Sequence, residues 1–220
     1  MTVYLCGDSI SASYREDLAP LTGWGQLLEK YLGSVRVENR ALAGRSAKSF
    51  LYEGRLQKIE EELSKDDLLL VQFTHNDENP LVWRYAAPRL GFPAALRLYA
   101  DTARRWGAVP VFLTPVCMRV FENGELRHTH GDYPKAVRTL AKDMNVPLLD
   151  MYRFSFETVR EMGEEGSKSF FLHTGKGEYP AYPDGKADNA HLCLKGAELL
   201  AGWAAKELIS QGLIPGGDTP

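Results

Sequence analysis

The sequence predicts an α/β protein: a five-stranded parallel sheet with helices on both faces, making a three-layer α/β/α sandwich. Short apolar runs bounded by turn residues alternate with longer stretches of helical period, the signature of βαβ units. The chain has 220 residues, 44% hydrophobic and 25% charged. That is an ordinary globular composition, long enough to bury a substantial core, and residues 1–220 read as a single domain.

The elements follow in order. The first strand is 2–6 (TVYLC), and Trp24, Leu27, Leu28 and Tyr31 then recur at helical spacing. A second strand, 35–39 (VRVEN), precedes a helix marked by Leu56, Ile59 and Leu63. The acidic stretch Glu60–Glu62, with Lys65, Asp66 and Asp67, reads as the solvated face and end of that helix. The third strand, 68–73 (LLLVQF), leads to Leu96, Tyr99, Ala103 and Trp106; the fourth, 109–114 (VPVFLT), leads to Val137, Leu140, Ala141 and Met144. A fifth strand covers 147–150, and a last helix runs from about Leu194 to Gln211 with Ala197, Leu200, Ala201, Ala204 and Leu208 inward. Regions 115–133 and 166–190 read as long irregular loops on or near the functional rim. Right-handed crossovers place every strand's carboxyl end on that one rim, as in flavodoxin-like sheets.

Composition removes several classes of function. A net charge of −3 argues against a nucleic-acid partner, which selects a clustered basic surplus. No run approaches the roughly 18 apolar residues of a membrane span. The first strand starts almost at Met1 with no leader pattern ahead of it, so the expected compartment is the cytoplasm. Cys6, Cys117 and Cys193 are too few and too scattered for a disulfide framework or a zinc site, and read as buried small hydrophobes. His128 and His130 form a His-x-His pair without a third ligand nearby, and are expected in a solvated loop.

Ligands of such sheets bind beyond the strands' carboxyl ends. After the first strand come Gly7, Asp8 and Ser9; after the second, a loop with Gly44; after the third, "THND" with His75 and Asn76; before the last helix, "DNAH" with Asp188 and His191. Acyl transfer needs this set. A serine hydroxyl attacks only when a base takes its proton, and a neutral imidazole is the usual base. A carboxylate on the other ring nitrogen fixes the tautomer, and Asp188 sits three residues from His191, on one turn. Backbone N–H groups of Ser9 and Gly44 and the Asn76 amide are the candidate oxyanion donors. Each residue also has a plainer reading: Ser9, Gly44 and Asn76 as turn formers, Asp188 as a helix cap. Asp8 is expected to bond loop amides rather than carry protons.

These blocks, Gly7-Asp8-Ser9, Gly44, Asn76 and Asp188-x-x-His191, resemble the SGNH (GDSL-type) hydrolases in order and spacing. "GWGQLLEKYL", "NRALAGRSAKSFLYEGRL", "VQFTHND" and "YPDGKADNAHLCLKGA" are similar to the rhamnogalacturonan acetylesterase branch. The resemblance covers nearly the whole chain. It implies the SGNH-hydrolase fold, an acetylated pectic oligosaccharide as substrate, and neither metal nor diffusible cofactor. It departs at Thr74, where that branch has glycine; a β-branched residue there is stiffer and bulkier. Ala190 replaces a common threonine.

Arg45 and Lys48 are candidates to meet a uronate carboxylate, with Thr74 and His75 as site walls and His173 on a rim loop touching substrate. The alternative for Arg45 and Lys48 is ordinary surface charge. The stretch "PLVWRYAAPRLGFP" fits either a wall of the site or a contact surface; oligomeric state is not indicated. A long-chain acyl substrate, as in a lysophospholipase or thioesterase, calls for an exposed aliphatic trough that no loop supplies, and a xylan-type acetylesterase is the nearer alternative. A non-catalytic binding module calls for a glycine-rich phosphate fingerprint that no strand precedes.

Overall fold

The structure, a computed structural model, describes residues 1–215. Its strands in chain order are β1 (Thr2–Gly7), β2 (Arg36–Asn39), β3 (Leu68–Gln72), β4 (Val109–Leu113), β5 (Phe121–Glu122), β6 (Glu125–Leu126), β7 (Leu148–Leu149), β8 (Phe171–Thr174) and β9 (Lys186–Leu192). The α-helices are α1 (Ala47–Tyr52), α2 (Arg55–Glu60), α3 (Gly91–Arg105), α4 (Tyr133–Met144), α5 (Met151–Gly166) and α6 (Leu194–Ser210). The central sheet has the order β2-β1-β3-β4-β7, and every pairing in it is parallel.

Side chains alternate across a strand, and this alternation builds the sandwich. Val3, Leu5, Leu68, Leu70 and Val111 face one layer, with Trp24, Leu28, Tyr152, Val159 and the inner face of α6. Tyr4, Cys6, Leu69, Val71 and Phe112 face the other, with Phe50, Ile59, Tyr99 and Val137. Parallel strands buried on both faces read as near-continuous apolar runs, which is why "LLLV" reads as a strand.

The structure refines the sequence reading in four places. Trp24–Tyr31 is a 3-10 helix lying tightly on β1: a Cβ at Gly25 would come within 2.3 Å of Leu5 Cδ2. The run around Leu56 divides into α1 and α2 at Gly54, whose φ is +67°. No element was expected over 151–166, yet α5 occupies it, started by Asp150, whose side chain accepts from the Arg153 N–H. The two long loops carry hairpins: β5–β6 turns through Asn123-Gly124 with both φ positive, the geometry that Asn-Gly favours, and β8 pairs antiparallel with β9. Cys6 and Cys117 are buried as expected; Cys193 is only half-buried.

Gly196 lets α6 lie against the β8–β9 unit. A Cβ there would stand 2.1 Å from the Phe170 carbonyl oxygen, and backbone on both sides gives little room to move. Gly196→Ala is therefore expected to destabilise by about 1–3 kcal/mol, read as a lower urea midpoint at unchanged m-value. An unchanged midpoint would show that the helix can slide without cost.

Candidate active site

β1 ends in a tight turn. The Asp8 carbonyl accepts from the N–H groups of Ser11 and Ala12 (3.3 and 3.1 Å), and its Oδ1 accepts from the Ile10 N–H at 2.9 Å. This presents Ser9 at the rim, where the Tyr14 hydroxyl donates to its carbonyl at 2.8 Å. Asp8 thus bonds loop amides, as its sequence context suggests.

β9 meets the same rim. Phe171 pairs with Leu192 and His173 with Ala187, so two steps on β8 oppose five on β9. The surplus is a bulge, and bulges re-aim side chains. Here it carries Asp188 and His191, which therefore stand on a bulged strand rather than on the turn of a helix start. The Asp188 Oδ1 accepts from the N–H groups of Ala190 and His191, both at 2.9 Å, and holds the bulge closed. Its Oδ2 lies 2.9 Å from His191 Nδ1, and His191 Nε2 lies 3.0 Å from Ser9 Oγ. Carboxylate, imidazole and hydroxyl form one hydrogen-bonded line across 182 residues of sequence. Burial pushes the Asp188 carboxyl up, but the imidazole and two backbone amides outweigh it and hold the group well below the usual carboxylate range.

The segment after β2 runs beside β1: the Leu42 N–H donates to the Gly7 carbonyl at 3.0 Å. Gly44 follows with φ +78° and open space where a Cβ would stand, so conformation alone, not crowding, calls for glycine. The buried Asn76 donates from Nδ2 to the Arg45 carbonyl at 3.1 Å, which ties its amide to the Gly44 loop. Asp77 is wholly buried and accepts from the Ala47 N–H at the start of α1; burial, with Asp8 nearby, pushes its carboxyl well up.

The remaining predicted residues are placed as follows. Thr74 is completely buried with its Oγ1 unpartnered. His75 lies with Nδ1 3.7 Å from Asp8 Oδ2. Burial opposes its charged form, but Asp8, Glu78 and Asp188 together outweigh it and raise its pKa. Arg45 forks onto Glu53 at 3.1 and 3.2 Å, and Lys48 Nζ donates to the Val82 carbonyl at 2.8 Å. His173 is on β8, half-buried, with Nε2 2.9 Å from Asn189 Oδ1.

The histidine pair also departs from its expected place. The His128–His130 segment is not a solvated loop: His130 is 1% exposed, with Nδ1 3.1 Å from Glu78 and Nε2 2.9 Å from the Val116 carbonyl, and its ring meets His75 edge-on. His128 stacks on Phe156. Among the described residues no three His, Cys, Asp or Glu side chains are grouped to hold a metal, and no helix is long and apolar enough to cross a membrane.

Sequence reasoning missed two arginines. Arg119, 7% exposed, donates to Asn189 Oδ1 at 3.1 Å and to the Glu164 carbonyl near the end of α5, while its backbone N–H donates to the Asn189 carbonyl at 2.8 Å. It braces the bulge between Asp188 and His191, and carbonyls at a helix carboxyl end suit a cation. Arg84 donates to Asn76 Oδ1 at 3.0 Å. Neither sits in a local motif.

The GDSL-like lipase/acylhydrolase family model matches residues 5–192. The chain belongs to this family. As a member it is a serine ester hydrolase, and the residues matched run from β1 through the His191 strand. It is 42% identical over 213 residues to the rhamnogalacturonan acetylesterase RhgT of Bacillus subtilis, covering 96% of this chain and 90% of that one. It is 36% identical to the probable rhamnogalacturonan acetylesterase YesY of the same organism, covering 96% and 94%. Protein YxiM of Bacillus subtilis has a similar structure, with TM-score 0.82 at 24% identity over 96% of this chain and 56% of that one. A catalytic mutant of Axe2, an acetylxylan esterase from Geobacillus stearothermophilus, superposes with TM-score 0.65 at 16% identity, covering 94% and 93%. At these identities the two structures speak to the fold alone, and they share the sandwich described above.

Proposed function

We propose that this esterase removes acetyl groups from the hydroxyls of rhamnogalacturonan oligosaccharides through an acetyl-serine intermediate, with residues 1–220 acting as one catalytic domain. The observation that carries the mechanism is the unbroken line from Asp188 through His191 to Ser9. The substrate class is supported by the two acetylesterase relatives.

Ser9 Oγ attacks the acetyl carbonyl while His191 Nε2 takes its proton. Asp188 holds the ring and stabilises the imidazolium. The N–H groups of Ser9 and Gly44 and the Asn76 amide receive the charge on the tetrahedral oxygen. His191 then protonates the leaving sugar oxygen, and water, deprotonated by the same imidazole, releases acetate and restores the hydroxyl.

The test is acetate release from a panel of acetylated rhamnogalacturonan and xylan oligosaccharides, with Ser9→Ala as control. The pectic fragments are expected to be deacetylated at a kcat/KM well above the xylan ones. Cleavage of xylan alone would transfer the substrate reading to the acetylxylan class and leave the mechanism standing. Release by Ser9→Ala at the wild-type rate would remove the mechanism itself.

A further inference from the structure

The orientation of a side-chain amide follows from what faces it. A guanidinium only donates and a backbone carbonyl only accepts. Asn76 is clamped between one of each: the Arg84 Nη1–H donates to its Oδ1 at 3.0 Å, and its Nδ2 donates to the Arg45 carbonyl at 3.1 Å. One amide orientation satisfies both contacts, and it leaves the second Nδ2 N–H free to serve a ligand.

Arg84 is itself held in place. Its guanidinium stacks on the Trp83 ring, 4.1 Å from the ring centroid. The surrounding loop is tied to the core by Tyr133, whose hydroxyl reaches the carbonyls of Asp77 and Ala86 at 3.1 and 3.0 Å. Lys48 ties it to α1 through the Val82 carbonyl at 2.8 Å. Trp83 is 49% exposed, so the stack forms the wet end of an otherwise fixed arm. The Arg84 guanidinium meets Asn76 and the Trp83 ring, and its Nε is buried without an acceptor among the described residues. An arginine serving only the fold would be expected to spend more of its five donors on it.

We propose that Arg84 is a positioning residue of the oxyanion hole: it locks the Asn76 amide and polarises it, so that the free N–H donates more strongly to the developing negative charge. The bond is charge-assisted and about twice as strong as a neutral one. Withdrawing electrons through Oδ1 strengthens the amide as a donor, as bonds in a chain reinforce one another. The anion that balances the guanidinium is then the transition state, and the interaction raises kcat rather than ground-state affinity. Trp83 keeps the guanidinium plane from swinging into solvent.

The inference rests on the proposed oxyanion role of Asn76, and a double-mutant cycle on p-nitrophenyl acetate separates the two. Asn76→Ala is expected to lower kcat by about 10²–10³-fold. Arg84→Ala should lower it roughly tenfold with KM within about twofold, the size of one charge-assisted bond. In the double variant the arginine replacement should add less than about a twofold loss, because residues that act as a unit are not additive. Arg84→Lys should recover part of the lost rate, and Arg84→Met, which keeps apolar bulk against Trp83 without a donor, should recover none. Equal losses from Arg84→Ala in both backgrounds, or wild-type kcat in Arg84→Met, would overturn the proposal while leaving Asn76 its role. Wild-type kcat in Asn76→Ala would overturn both together, without touching the Ser9–His191 mechanism.

Discussion

Ser9→Ala is expected to lower kcat on p-nitrophenyl acetate by about 10⁶-fold, His191→Ala by a similar factor, and the double replacement by no more than either alone. The reason is the shared proton. At 3.0 Å from His191 Nε2, the Ser9 hydroxyl becomes a nucleophile only as the imidazole receives its hydrogen, so removing either end removes the same step. The residual rate belongs to substrate binding and the oxyanion donors, which survive both replacements. A serine-directed organophosphonate should add one adduct to the wild type, located at Ser9, and none to Ser9→Ala by intact mass. Additive losses would mean that the two residues serve different steps. Undiminished turnover in His191→Ala would mean that the base lies elsewhere.

The fold and the reacting groups were legible for the same physical reason: local chemistry dictates them. Strands buried on both faces leave apolar runs such as Leu68–Val71, and the turns at their carboxyl ends break those runs with polar residues such as Ser9 and Asn76. What the sequence hides depends on distant pairing. The bulge that swings Asp188 toward His191 exists because β8 is three residues too short for β9 in that register, a mismatch invisible from "DNAH". Arg119 reaches Asn189 across 70 residues, and Arg84 lies in the stretch that reads as a site wall or a contact surface, but only the fold shows that it meets Asn76. His130 is buried because Glu78 and the Val116 carbonyl await its two ring nitrogens, partners 52 and 14 positions away. α5 did leave a signal in the Asp150 cap, but Ser155 and the left-handed Gly163 interrupt its apolar period.

Asp188→Asn should have the next largest effect, a fall in kcat on the order of 10⁴-fold. The substituted amide can keep its oxygen on the Ala190 and His191 N–H groups, which now bond Oδ1. Its NH₂ then faces His191 Nδ1, and two donors cannot share that contact. The ring answers by moving its proton to Nε2, where it confronts the Ser9 hydroxyl with a hydrogen instead of a lone pair. The same carboxylate couples charge to stability. Its folded pKa lies below the unfolded value of about 3.9, because the His191 and backbone bonds outweigh burial. The stabilisation is thus fully present above the unfolded value and lost as the pH falls from there through the folded one. Asparagine does not titrate, so the wild-type minus Asp188→Asn difference in urea midpoint should shrink as the pH falls below about 4. A difference that held constant to about pH 3 would show that the carboxylate gains nothing from its bulge.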